Sequence, residues 1–324
     1  MKHFFPVPAD DSERALFARV ESWNRGRGLD QLTPDLLHEV TAREGCDFAT
    51  ALLHRSIVES ERHGPFLRDA FWTAAAQRNG NGAAQTAHGE ATVAIVPGAF
   101  HRENPRTGAD GRVVREVAAQ LGLPVVVAPV SSTGSLAENA RRLADWLSTL
   151  NEERVILVSV SKGGSDVKSA VARSDAARVF SRVGAWVNLC GILDGTPMAD
   201  WLLSAGWLAR ANRFFYRARG RSLDFLKDLR RFRGCALDFP LDPPPHLRVV
   251  HVLGFPLRRH LHNGLARRCH SRLEAFGPND GSILLADVSR WPGQLCPVWG
   301  ADHYLRPRDD VRPLLAALLR QFTS

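Results

Sequence analysis

The chain of 324 residues is long enough for one large α/β domain, or for a core domain with a smaller appendage, and its 44% apolar content is that of an ordinary globule. No apolar run approaches the ~20 residues needed to cross a bilayer, and Met1-Lys2-His3-Phe4-Phe5-Pro6 lacks the apolar core and cleavage site of an export signal. A formal charge of +8, carried almost wholly by arginine, comes without any zinc-finger, RNA-binding or basic-zipper pattern, so nucleic acid is not the expected partner.

Residues 1–78 read as helical. Apolar residues recur three and four apart over 11–23, 34–43 and 48–61, and Thr33 before Pro34 has the form of an N-cap followed by proline at the first helical position. The stretch Arg78-Asn79-Gly80-Asn81-Gly82, running on to His88-Gly89, is turn-rich and reads as a linker. This divides the chain into an N-terminal helical region, 1–90, and a second domain, 91–324.

From Ala91 the pattern changes to short apolar runs at 92–96, 124–128, 155–160, 183–189, 248–253 and 295–299. Each is five to seven residues long, and most are rich in β-branched side chains and apolar throughout, as in strands buried on both faces. Helical segments alternate with them. The clearest is 136–150, with Leu136, Ala140, Leu143, Leu147 and Leu150 on one face and Ser135 and Glu138 at capping-box spacing. Such alternation predicts a mostly parallel sheet with helices on both faces, whose chemistry gathers at the carboxyl ends of the strands.

After the run 155–160 comes Ser161-Lys162-Gly163-Gly164 and a helical stretch from Ser165. Around Ser161 the sequence is Ser159-Val160-Ser161-Lys162-Gly163, a form of G-x-S-x-G with serine at the first glycine. A nucleophile at the tip of a sharp strand-to-helix turn needs small residues two before and two after it, so that strand and helix can close together. Ser159 and Gly163 meet that need, whereas centring the motif on Ser159 or Ser165 puts Leu157 or Val167 at a flank. The plain alternative is an ordinary small-residue turn.

A serine hydroxyl needs a base, itself oriented by a carboxylate, and in strand-turn-helix hydrolases the chain order is serine, acid, histidine. The last predicted strand runs into Gly300-Ala301-Asp302-His303, which makes His303 the expected base ahead of His251, His260, His262 and His270. Asp280, in the turn Asn279-Asp280-Gly281, is the expected acid. Asp194 is the runner-up, and Asp302 is set aside because adjacent side chains rarely face one another. The oxyanion requires two backbone donors. These are expected from Lys162 and Ala99, with Gly98 allowing close approach of substrate and Phe100 lining an acyl pocket.

On these residues, 91–324 resembles the α/β-hydrolase superfamily, and more narrowly its bacterial lipase and esterase members. The unit around Ser161, the turn Asn279-Asp280-Gly281 and the loop holding His303 carry the similarity, and Gly195-Thr196-Pro197-Met198-Ala199-Asp200 is similar to the loop leading into a lipase cap. Two departures are Pro97-Gly98, where the family has His-Gly, and Ser159 in place of glycine. The resemblance implies an insertion at about 196–245 acting as a cap. There Trp201, Trp207, Phe214, Phe215, Tyr216 and Phe225 interleave with Arg210, Arg213, Arg217, Arg219, Arg221, Arg230, Arg231 and Arg233. Aromatics suit an acyl channel, and arginines suit a phosphate, an acidic carrier or an anionic surface; a solvated basic face is the plain alternative.

The expected activity is cleavage of a carboxylic ester or lipid through an acyl-enzyme on Ser161. A thioesterase or acyltransferase working on a carrier-bound acyl group is the alternative within the same chemistry, and a non-catalytic binding protein of the same fold is the alternative outside it. The five cysteines are odd in number, scattered and without a C-x-x-C pair. That argues against a disulfide framework or a zinc site and fits a reducing cytoplasm. No metal or cofactor is expected.

Overall fold

A computed structural model describes residues 6–78, 91–204, 223–306 and 310–323. The turn-rich stretch at 79–90 and much of the aromatic and arginine-rich insertion, including Trp207, Phe214, Phe215, Tyr216, Arg210, Arg213, Arg217, Arg219 and Arg221, lie outside the described residues. The chain falls into two compact units. One comprises Met1–Ala83 with Val252–Ala317, and the other Ala84–His251 with Leu318–Ser324.

The second unit carries the strands β1 (Ala91–Val96), β2 (Val125–Val127), β3 (Arg154–Val160) and β4 (Val183–Leu189), and the start of β5 (Arg248–Phe255). The first carries the rest of β5 and β6 (Gln294–Trp299). Strand order in the sheet is β2-β1-β3-β4-β5-β6. Pairing of β1 with β2, β1 with β3 and β3 with β4 is parallel, with Ile95 opposite both Val127 and Val158, and Val158 opposite Val187. Every residue of β1 is buried, as are all but the first of β3. β2 departs from the expectation of a strand buried on both faces, since Val125 and Val126 are half-buried and Val127 is exposed. It stands at the end of the strand order, where among the described residues one flank has no neighbouring strand.

Helices follow from local signals. α1 (Asp11–Trp23) begins where Asp10 accepts the Glu13 N–H, and α2 (Pro34–Glu44) where Thr33 accepts the Leu36 N–H. α3 (Cys46–Glu59) is buried along nearly its whole length because α1, α2, α4 (Gly64–Arg78) and β6 all pack on it. In the second unit, α5 (Arg112–Gln120) links β1 to β2. α6 (Leu136–Thr149) buries Leu136, Ala140, Leu143 and Leu147, with Leu150 half-buried at its C-cap. α7 (Lys162–Val171) starts directly after Ser161, three residues earlier than the apolar pattern suggests. Among the described residues that unit also holds the short α8 (Ala176–Val179), α9 (Pro197–Ser204) and α10 (Phe225–Asp228), while α11 (Gly264–Leu273) and the greater part of α12 (Arg312–Gln321) belong to the first. Among the described residues no helix is long and apolar enough to cross a membrane.

The strand order reverses direction at β1. From β1 the chain moves outward to β2, and from β3 it moves the other way to β4. In open parallel sheets the crevice outside the carboxyl ends at such a reversal is where ligands bind. The segments leaving β1 and β3 there are Pro97-Gly98-Ala99-Phe100 and Ser161-Lys162.

Candidate active site

At the carboxyl end of β3, Ser161 has φ 52° and ψ −120°. A non-glycine residue in this region is strained by about 1–3 kcal/mol and persists only where its surroundings over-determine it. Here the Ser161 N–H donates to the Leu189 carbonyl at 2.9 Å, and the Ser161 carbonyl accepts from Gly164 at 2.9 Å and Ile192 at 3.2 Å. The small flanks have a visible cause. A Cβ on Gly163 would crowd the backbone carbonyls of Val96 and Pro97. Ser159, at the first glycine position of the G-x-S-x-G pattern, is completely buried and its hydroxyl bonds locally. It accepts from the Trp186 indole N–H at 2.8 Å and lies 2.9 Å from the Asn188 side-chain oxygen.

The loop after β1 approaches the same turn. A Cβ on Gly98 would stand 2.9 Å from the Val160 carbonyl and 3.2 Å from the Ser161 Cβ, so only glycine fits without displacing the serine. The Gly98 N–H donates to Ala109 at 2.8 Å and the Phe100 N–H to Ser132 at 3.1 Å, whereas the Ala99 N–H has no hydrogen-bond partner among the described residues. Phe100 also has a positive φ, 56°, and its ring meets that of Phe225 edge-on at 5.5 Å between centroids.

The sequence points to Lys162 only for its backbone N–H, yet its side chain is fully buried. Its Nζ bonds both oxygens of Asp166, at 2.7 and 3.0 Å, and Asp166 also accepts from Asn139 Nδ2 at 2.9 Å. Burial pushes the Asp166 carboxyl up to about 6, against the opposing pull of Lys162. The spacing of Lys162 and Asp166, four apart on a helix, was visible in the sequence, but the same spacing most often marks a solvated pair. Lys168, six residues further along the same helix, is likewise buried. It donates to the Leu193 and Leu237 carbonyls at 2.8 and 3.0 Å and lies 3.2 Å from Asp194 Oδ1. Asp194 is thereby paired with a lysine.

In the first unit, Asp280 and His303 are brought together. His303 Nδ1 lies 2.8 Å from Asp280 Oδ2, both side chains are buried, and the His303 N–H donates to the Asp280 carbonyl at 3.1 Å. The other carboxylate oxygen accepts the N–H groups of Ser282 and Ile283, each at 2.8 Å, which fixes the plane of the group. Asn279 closes the turn by accepting from the Gly281 N–H at 3.0 Å. An ionised carboxylate at Nδ1 demands that this nitrogen carry the proton and leaves Nε2 as the basic one. Asp302 faces elsewhere: it accepts from the Tyr304 and Arg306 N–H groups and pairs with the Arg306 guanidinium at 2.7 Å.

Comparison of the whole chain with solved structures finds a metagenomic carboxyl esterase, MGS0156, at TM-score 0.55 and 23% identity, covering 74% of this chain and 77% of that one. The fold is that of the α/β-hydrolases. The mature form of the Bacillus licheniformis lipase BlEst2 shares this α/β-hydrolase fold, at TM-score 0.50 and 22% identity over 70% of this chain and 87% of that one. No protein-family model and no curated protein sequence matches the chain.

Proposed function

We propose that the protein is a serine hydrolase that cleaves a carboxylic ester, the substrate being a small acyl ester or a lipid. The reading rests above all on the left-handed backbone of Ser161 at a strand-to-helix turn, a strained conformation that lifts a nucleophile clear of the strand. It is further supported by the Asp280–His303 pair, whose hydrogen bond leaves a basic imidazole nitrogen, and by the esterase and lipase names of the structural neighbours.

In this mechanism Ser161 Oγ attacks the ester carbonyl carbon while His303 Nε2 takes the hydroxyl proton. The tetrahedral oxyanion accepts hydrogen bonds from the N–H groups of Ala99 and Lys162. Collapse breaks the bond to the alcohol oxygen, which leaves with the proton from His303, and the acyl group remains on Ser161. Water, deprotonated by the same imidazole, then attacks the acyl-enzyme and releases the acid. Asp280 stays ionised throughout, holding the ring and stabilising the imidazolium. Gly98 admits the substrate, Phe100 contacts its acyl part, and residues 196–245 serve as the cap. The odd number and scattered spacing of the cysteines support a reducing cytoplasm as its location.

A serine-reactive fluorophosphonate tests this directly. Labelling of the wild type that is lost in Ser161→Ala, together with turnover of an acyl-ester panel, is the expected result. Equal labelling of both proteins would move the nucleophile, and no labelling of the wild type would favour a non-catalytic binding protein. Including acyl thioesters in the panel separates the ester from the thioester reading.

A further inference from the structure

Resting on that reading, we propose that Asn139 and Asp166 are positioning residues, which through the Lys162 side chain and the Ser131–Ser132 backbone set the separation of the two oxyanion donors. The donors stand on different segments, Lys162 at the start of α7 and Ala99 in the loop after β1. Something must hold these segments at a fixed spacing, because a donor helps only when it lies about 2.7–3.1 Å from the developing oxyanion.

A closed circuit of contacts joins them. The Lys162 ammonium donates to Asp166 twice, and Asp166 accepts from Asn139 Nδ2 at 2.9 Å. The same Asn139 nitrogen lies 3.0 Å from the Ser131 carbonyl, and the Asn139 side-chain oxygen accepts the Ser131 N–H at 2.9 Å, so this one amide grips both backbone groups of Ser131. The adjacent Ser132 carbonyl accepts the Phe100 N–H, the peptide group directly after Ala99. A second arm runs through aromatic rings. Lys162 Nζ sits 5.8 Å from the centre of the Phe225 ring, which in turn meets Phe100. Both arms begin at residue 162 and end at residue 100.

Energetics favour a role beyond stability. Asn139, Lys162 and Asp166 are all at most 1% exposed. Burying an ammonium and a carboxylate carries a desolvation cost that their attraction often fails to recover, so apolar replacements of such pairs are frequently neutral or stabilising. A buried pair at this point therefore makes better sense as a spacer of fixed geometry than as a source of folding energy. Asn139→Ala removes the grip on Ser131 while leaving the Lys162–Asp166 pair in place, and it isolates the far half of the circuit.

The experiment measures kcat, KM and the inhibition constant of an acyl trifluoromethyl ketone, which forms the oxyanion on the enzyme, for wild type, Asn139→Ala and the double variant Lys162→Met/Asp166→Leu. Both variants are expected to lose about tenfold to a hundredfold in kcat, as for a small misplacement of a reacting group. KM should stay within about twofold, with the ketone weakened in parallel with kcat/KM. The double variant should keep the thermal midpoint of the wild type or exceed it, so that its loss of kcat cannot be put down to unfolding. Wild-type kcat and ketone affinity in both folded variants would overturn the positioning role while leaving the hydrolase reading intact. A double variant that regains wild-type kcat while Asn139→Ala does not would overturn the circuit through Lys162. A wild type that neither turns over esters nor takes the fluorophosphonate would overturn the hydrolase reading and this proposal with it.

Discussion

Asp280 shows how much of a side chain's role is decided by its neighbours. One oxygen is fixed by two backbone N–H groups and the other faces His303, so an ionised carboxylate serves as a rigid acceptor at Nδ1. In Asp280→Asn the group presents either a neutral amide oxygen or an N–H, and the second choice forces the imidazole into the wrong tautomer. We expect kcat to fall by roughly 10⁴, measured by ester turnover, with little change in the urea midpoint. Asp194→Asn, at a carboxylate paired with Lys168, should leave kcat within a few-fold. The opposite pattern would transfer the acid role to Asp194. The candidates Ser161, Asp280 and His303 stand out in the sequence because each lies on a short segment with its own local signal: a strand followed by a small-residue turn, an Asn-Asp-Gly turn, and the end of a final strand. Asn139, Asp166 and the side chains of Lys162 and Lys168 carry no such signal. Their burial depends on which distant segment covers them, as Leu237 and the Phe225 ring do for the two lysines, and nothing in the local pattern reports that.

Among the elements, apolar runs located the strands well because residues inside a sheet are buried in sequence as well as in space. The run 183–189 matches β4 end to end, and the others differ by one or two residues at a boundary. Edge exposure at β2 was hidden because three consecutive valines look alike whether the strand is central or peripheral. What the first helices do was equally hidden, since periodicity says which face is covered but not by what. Glu13 supplies part of the answer. It is fully buried on α1, accepts from the Trp299 indole N–H at 2.8 Å and the Ala9 N–H, and lies 3.2 Å from His260 Nε2. Although burial pushes its carboxyl up, these donors and the nearby Arg259 pull it below the ordinary glutamate range. The carboxylate therefore pins α1 to the last residue of β6, four positions before His303. Glu13→Ala should cost about 1–3 kcal/mol by leaving the indole N–H without an acceptor, read as a lower urea midpoint with unchanged m. Glu13→Gln keeps an acceptor for Trp299 and should lose less. Equal stability of all three proteins would refute the pin.

At the scale of the whole molecule the buried imidazoles dictate how stability responds to acid. Desolvation lowers His54 to about 3 and His63 to about 4, and it also lowers His101, His260 and His270 below the ordinary histidine range. His54 is held edge-on to the rings of Phe255 and Trp299, at 5.6 and 4.9 Å. A histidine whose folded value is depressed stays neutral in the fold but takes up a proton in the unfolded chain below about 6.5. The unfolded state then binds more protons, and stability falls as pH drops through that window. Asp166 acts in the opposite sense. Its folded value is raised from 3.8 to about 6, so its contribution is fully present at low pH and is lost as pH rises across that interval. Five histidines against one aspartate leave acid destabilisation dominant. His54 alone accounts for roughly 2 kcal/mol between pH 6.5 and 5, at about 1.4 kcal/mol per pH unit for one proton. Urea denaturation followed from pH 7 to 5 should therefore show a falling midpoint. In His54→Phe, which keeps an aromatic ring against Phe255 and Trp299, the slope of unfolding free energy with pH should shrink by about one proton. A wild-type midpoint that stays level over that range, or a slope in the variant equal to that of the wild type, would show that these imidazoles are protonated inside the fold.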